Sequence, residues 1–304
     1  MFNRILVPLD GSNLAEKVLP AASYLAERLQ ATLILFHVVE KDSPNEIHGQ
    51  HHLREVAEAR AYLDQVARQL SSAQVAVLQD VHEVQEMGVA QTIRDHAEEL
   101  HSDMIILCAH GNGGLRDMLF GSIAQQVIRQ GTIPVLFIRP DMVKDTGMNP
   151  IQQILLPLDG SKAHEVAMPV AVYLAAKCEA KIRLLTVVPT AETLPVKGAI
   201  TGRVSPRMTA LTLDISAQQA EEYLHKISHD LLTQGMPVSS VVLRGNAESR
   251  LIETIAAEGI DLVVMATHGH SAIDAHWEGS LTPRFLPKTP VPVMLVRGIQ
   301  DNSE

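Results

Sequence analysis

The sequence predicts two α/β domains in tandem, each a doubly wound parallel sheet of five strands. Three observations predict it. First, the chain repeats itself. "RILVPLDGSNLAEKVLPAASYLAERLQATLILFHVV", starting at Arg4, aligns without a gap with "QILLPLDGSKAHEVAMPVAVYLAAKCEAKIRLLTVV", starting at Gln153, at an offset of 149 residues. A repeat of that length is a whole domain, since solenoid units are far shorter. Second, short apolar runs alternate with segments of helical period inside each copy, which is the signature of strands joined by crossover helices. Third, aromatic residues make up only 3% of the chain, so the core is built from Leu, Ile, Val, Ala and Met. Aliphatic strands suit a sheet covered on both faces.

The elements follow in order along the first copy. Arg4 to Leu9 reads as a short apolar strand. A helix comes next, with Ser12 or Asn13 as its cap and Leu14, Val18, Ala22 and Leu25 at helical spacing. Thr32 to Val39 reads as the second strand. A long helix covers roughly Leu53 to Leu70, with Val56, Ala59, Leu63, Val66 and Leu70 as its core stripe. A strand is expected around Val75 to Val81 and a helix over Ala90 to Leu100. "DMIILC" is a buried strand, Ser122 to Arg129 a helix, and "PVLFIR" the last strand.

The repeat continues beyond the ungapped block. Gly88 matches Gly245 at offset 157, while Gly111 with Gly269 and Gly121-Ser122 with Gly279-Ser280 match at offset 158. The second copy has thus gained nine residues, eight of them between Val187 and Gly245. The polar segment "PDMVKDTGMNP" carries the boundary. The expected division is residues 1–142, a linker 143–150, and 151–304 with an insertion at about 189–214.

Bulk properties exclude several classes. A net charge of -10 argues against a large nucleic-acid footprint, which needs a basic stripe. Two cysteines, Cys108 and Cys178, make no disulfide framework. Cys108, at a strand end, reads as a small buried residue and not a nucleophile. The N-terminus has no signal-peptide plan, and runs such as "TLILFHVV" are far short of a membrane helix. The expectation is a soluble cytoplasmic protein. His48, His51 and His52 in "HGQHH" are read as a solvated polar loop before a metal site.

In doubly wound sheets, ligands sit outside the carboxyl ends of the strands. Three loops of the first copy meet there. Asp10-Gly11-Ser12 follows the first strand and reads either as a turn with a helix cap or as a carboxylate beside a bound base or ribose. Val38 lies at the end of the second strand. Gly111 and Gly121-Ser122 frame the loop after the fourth, where Gly permits close backbone approach and a helix start favours an anion. An ordinary glycine turn with a serine cap fits the same letters. His110 and His268 are equally ligand contacts or loop hydrogen-bonders.

The order of elements, the strand–Asp–Gly–Ser start, the Gly88 turn and "HGNGGLRDMLFGS" together resemble the universal stress protein family, in its tandem form. The resemblance covers nearly the whole chain. It implies a Rossmann-like fold of the adenine nucleotide alpha hydrolase-like type. It also implies the nucleotide pattern G-x2-G-x9-G-[ST], whose first Gly is Cys108 in copy one and Ala266 in copy two. By the same resemblance, Pro8, Leu9, Asp10 and the Val38 backbone would hold adenine and ribose, and Gly111, Gly121 and Ser122 the phosphates of ATP with its Mg2+. The second copy has Pro157, Leu158, Asp159, Val187, Gly269, Gly279 and Ser280 in the matching places. Its loop "HSAIDAHWE" has lost the paired glycines and carries Asp274 and Glu278, which would oppose a phosphate. Pro287 is expected to stop the helix that follows. Copy two is therefore expected to bind nucleotide weakly, not at all, or to take another ligand.

The leading reading is a nucleotide-binding stress or regulatory protein with at most slow ATP hydrolysis, because no general base or Walker lysine is evident. An adenylating or redox enzyme of related fold would want Ser-Gly-Gly-x-Asp-Ser, His-x-Gly-His or G-x-G-x-x-G, none of which occurs in place. A module for a lipid, a metabolite or a protein partner is the alternative. The last strands, "PVLFIR" and "PVMLVR", are candidates to pair as an intramolecular pseudo-dimer, with a homodimer as the further assembly.

Overall fold

A computed structural model describes residues 1–40, 46–47, 50–70, 75–84, 88–108, 122–142, 149–194, 206–267 and 281–298. The chain divides into two compact units. The first runs from Met1 to Pro150 and also takes in Pro292–Arg297.

In the first unit the chain order is β1 (Arg4–Pro8), α1 (Asn13–Glu16), α2 (Leu19–Leu29), β2 (Thr32–Glu40), a small antiparallel ladder of β3 (Glu46–Ile47) with β4 (Gln50–His51), then α3 (Val56–Leu70), β5 (Val77–Val84), α4 (Val89–Glu99), β6 (Met104–Cys108), α5 (Ser122–Gln130) and β7 (Val135–Ile138). The main strands lie in the order β7-β6-β1-β2-β5, all parallel. This order places β1 at the centre, where Ile5, Leu6 and Val7 are fully buried. β5 lies at the other end of this order, and its letters, VLQDVHEV, are largely open to solvent. The expectation of uniformly apolar strands fails there because a strand paired on one side only needs polar covering.

Proline explains the one large departure in the helices. The single helix expected after β1 is two, because Pro20 lacks the amide that would continue the ladder and sits in the first turn of α2 instead. The same break recurs in the second unit at Pro169.

The second unit runs β8 (Gln153–Pro157), α6 (Lys162–Glu165), α7 (Ala167–Cys178), β9 (Lys181–Val188), α8 (Pro206–Thr233), β10 (Val238–Arg244), α9 (Ala247–Glu258), β11 (Leu262–Thr267) and α10 (Leu281–Phe285). Its strands are parallel in the order β10-β9-β8-β11. α10 stops before Pro287, as that residue requires. The last strand, β12 (Val293–Arg297), groups with the first unit and pairs antiparallel with β7, Val293 opposite Phe137. No helix among the described residues is long and apolar enough to cross a membrane.

Strand register corrects the alignment of the copies. Leu33 pairs with Val77 and its counterpart Ile182 pairs with Val238, an offset of 161. Ile5 pairs with Met104 and Ile154 with Leu262, an offset of 158. The second copy therefore gains twelve residues before β10 and loses three before β11. Part of the expected insertion, 195–205, lies outside the described residues; the rest includes the start of the 28-residue α8, against 15 residues in α3. Gly88 and Gly245 are not equivalents. Gly88 is the N-cap of α4, whereas α9 is capped by Asn246 and Gly245 precedes it with φ 136°.

Candidate functional site

The site is built at the carboxyl ends of β1, β2 and β6. Pro8 closes β1, and the Leu9 amide donates to the Phe36 carbonyl at 2.8 Å. Leu9 is buried. Asp10 turns its Oδ1 back to accept from the Ser12 amide at 2.9 Å, and buried Ser12 caps α1 by accepting from the Ala15 amide at 3.1 Å. Gly11 between them has φ +85°, which favours glycine. The turn-and-cap reading of Asp10-Gly11-Ser12 thus describes the local structure. Val38 lies in β2 opposite His82 and is buried.

β6 ends at Cys108, whose thiol donates to the Leu14 carbonyl at 3.0 Å. Burial, reinforced by the charge of Asp10, pushes this thiol up to about 12. Cys108 is therefore a packed neighbour of the β1 end and not a nucleophile. α5 begins at Ser122, so the glycine-bearing connection joins a strand end to a helix start. Gly111 and Gly121 lie outside the described residues, as do Gly269, Gly279 and Ser280 of the second copy.

Several residues of this region escaped the sequence reading. His37, within the apolar run of β2, is 1% exposed and holds Nδ1 2.7 Å from the Leu9 carbonyl. Its Nε2 lies 3.4 Å from the Leu53 carbonyl. Burial holds the His37 pKa below its usual value, outweighing both carbonyls, so the ring is neutral and its one proton belongs on Nδ1, at the shorter contact. The polar-loop expectation for "HGQHH" is corrected at His52, which is 4% exposed near His37. His48 lies outside the described residues. The segment after β3 folds onto the β1 turn: the Gln50 Oε1 accepts from the Asn13 amide at 2.7 Å, and Leu53 covers Gly11. Among the described residues no group of three His, Cys, Asp or Glu is placed to hold a metal ion.

The second copy repeats the frame with different side chains. The Leu158 amide donates to the Leu185 carbonyl at 2.9 Å, and Thr186, at the place of His37, donates to the Leu158 carbonyl at 2.8 Å. Asp159 Oδ1 accepts from the Ser161 amide at 2.9 Å, while its Oδ2 is 2.7 Å from His164 Nδ1. Burial alone would raise the Asp159 pKa, but the bonds from His164 and Ser161 outweigh it and hold the carboxyl well below the usual range. The Tyr223 hydroxyl donates to Glu165 at 3.0 Å. Val187 is half-buried in β9, and Ala266 is buried in β11.

Fold and strand-end geometry together define a duplicated α/β domain with its candidate pockets at the carboxyl edge of the parallel sheet. The chain belongs to the universal stress protein family, whose model matches residues 1–139 and again 150–297. It is similar to universal stress protein YxiE of Bacillus subtilis, with 29% identity over 153 residues, which is 46% of this chain and 100% of that protein. Universal stress protein Slr1230 of Synechocystis is 23% identical over 314 residues and spans both copies, covering 96% of this chain and 99% of its own. The crystal structure of a universal stress protein from Archaeoglobus fulgidus has the same fold, with a TM-score of 0.71 at 16% identity over 98% of this chain and 99% of that one.

Proposed function

We propose that the first copy binds an adenine nucleotide, ATP with Mg2+, and that the chain serves a stress-response or regulatory role in the cytoplasm with at most slow hydrolysis. The observation that carries this reading is the position of the glycine pattern. It spans the connection from the end of β6, the neighbour of β1, to the start of α5, and a helix start favours phosphate. Pro8, Leu9, Asp10 and Val38 would take the nucleoside, and Gly111, Gly121 and Ser122 the phosphates.

The second copy is read as weak or diverged. Asp159 is engaged by His164, and Asp274 and Glu278 bring negative charge into its loop. The chain is further read as an intramolecular pseudo-dimer, with homodimerisation as the additional assembly. One observation favours a non-nucleotide ligand or protein partner instead: the first motif glycine is Cys108, whose side chain fills space against Leu14.

Isothermal titration of ATP into wild type, Gly121→Asp and Ser122→Ala tests the proposal. Binding by wild type, weakened in both variants, is expected. Absence of ATP binding by wild type sinks it, and mass spectrometry of a co-purified ligand then tests the second reading.

A further inference from the structure

The second copy carries a helical extension with apolar residues on its solvent side. At the offset of 161, Val56 at the start of α3 corresponds to Ala217, so residues 206–216 of α8 precede the stretch of helix that the two copies share. The inner side of α8 is formed by Leu213, Ala217, Leu224, Ile227 and Leu231, all buried. At about 100° per residue, Met208, Leu211 and Ile215 fall on the opposite side. They are 60%, 53% and 47% exposed. A single exposed apolar residue needs no explanation. These three stand at i, i+3 and i+7, which is the a-d-a spacing of a helix seam. Seven large apolar side chains are exposed among the described residues, and three of them are gathered here.

The seam is short, and its surroundings are polar. Gln218 and Glu222 hold the next two seam positions, are exposed, and bond each other, Nε2 to Oε1 at 3.0 Å. The extension does not cover the turn of its own copy. In the first copy Leu53, just before α3, lies over Gly11, whereas a Cβ on Gly160 would meet nothing within 4 Å. Two opposite charges, Arg207 and Asp214, flank the seam on one side, at the g positions of its heptad. Asp214 Oδ1 accepts from Arg244 at 2.7 Å, in a pair half open to solvent. The Oδ2 of Asp214 and the Arg207 guanidinium have no partner among the described residues.

We propose that Met208, Leu211 and Ile215 form the contact of a weak homodimer, in which α8 packs antiparallel on α8 of a second copy of this chain. This rests on the homodimer reading above and names its surface. The flanking charges select that occupant. With Met208 set against the partner's Leu211 about a two-fold axis, Arg207 comes beside the partner's Asp214, and the pair forms twice. A shift that sets Leu211 against the partner's Ile215 brings Asp214 against the partner's Asp214, which repels. Parallel packing gives neither Arg207 nor Asp214 an opposite charge and aligns the two helix dipoles unfavourably. Three apolar side chains from each copy keep the contact below about 1,200 Å², the range of transient association. The dimer is therefore concentration-dependent.

Sedimentation velocity of the full chain over a range of concentrations tests this, with wild type, Leu211→Glu, Arg207→Asp and the double variant Arg207→Asp with Asp214→Arg. Wild type is expected to pass from monomer to dimer as concentration rises. Leu211→Glu is expected to weaken association about a hundredfold, because the change enters the centre of the contact twice. At low concentration its melting temperature should match wild type, since Leu211 is exposed in the single chain. Arg207→Asp is expected to weaken association about tenfold, and the double variant to restore it. A wild type that stays monomeric throughout overturns both the surface and the homodimer reading. A dimer as tight in Leu211→Glu as in wild type overturns the surface and leaves the homodimer reading standing. A melting temperature lowered by Leu211→Glu at low concentration shows the side chain to be packed within one chain and overturns the proposal. Association unchanged by Arg207→Asp, or not restored in the double variant, overturns the antiparallel arrangement.

Discussion

Gly11 and Gly160 hold the same turn in the two copies, and replacing each by Ala separates two costs of a side chain. Both have nearly the same backbone, φ +85° and +86°. An L residue held at such a φ costs about 1–2 kcal/mol, and this part applies to both. The surroundings differ. A Cβ on Gly160 meets nothing within 4 Å, whereas a Cβ on Gly11 lies 2.9 Å from Leu53 Cδ1 and 3.0 Å from its Cγ. Overpacking costs about 1–3 kcal/mol, and the low end applies because the obstacle is the mobile end of a half-exposed leucine. Gly160→Ala is thus expected to lose about 1–2 kcal/mol and Gly11→Ala about 2–3 kcal/mol. Urea unfolding followed by circular dichroism measures both. Leu53→Ala, alone and combined with Gly11→Ala, completes a double-mutant cycle with an expected coupling of about 1 kcal/mol. Equal losses for the two glycines, or a Gly11→Ala loss unchanged in the Leu53→Ala background, would refute the assignment of the difference to Leu53.

Three further predictions concern buried groups. His37 is neutral when folded, with its pKa held below 6.5, so the unfolded chain binds more protons between the two values. Stability from this group is fully present above about pH 6.5 and falls as pH drops toward the folded pKa. His37→Thr, which copies Thr186 and keeps a donor, should flatten the acid limb of a stability–pH curve. An unchanged limb would count against His37. Thr186→Val, in the other copy, is expected to cost about 1–3 kcal/mol by orphaning the Leu158 carbonyl, at all pH values. Cys108 and Cys178 should both be silent to a thiol reagent at pH 8 in the folded protein and titrate fully in guanidinium. With its pKa pushed up to about 12, Cys108 has only about one thiolate in ten thousand at that pH. A fast-reacting thiol would contradict its packing against Leu14.

The alternation of strands and helices was legible because each buried strand of the first copy carries a run such as ILV, LILF or MIIL that no solvated loop tolerates. The cap of the first helix was legible to within one residue, Ser12 or Asn13, and the bond from the Ala15 amide settles it as Ser12. The double helix after β1 was not, although Pro20 marks it, because the apolar spacing runs across the break. The binding edge was legible as a set of loops but not as a network. His37 is hidden inside an apolar strand, and only its counterpart Thr186 shows that the position requires a donor. His52 looked solvated because its neighbours are polar, whereas its burial depends on a segment returning over the β1 turn.

The carbonyl of Leu9, repeated at Leu158, has a consequence for how such a duplicated chain can drift. It emerges from the sheet at the rim of the site and has to be met from β2 or β9 by a side chain with a proton to give. The two halves have met that demand with imidazole and with hydroxyl. A hydroxyl gives its proton identically in acid and in base, but an imidazole answers to the surrounding proton concentration. A substitution that conserves one hydrogen bond has therefore left one rim coupled to acidity and the other indifferent to it.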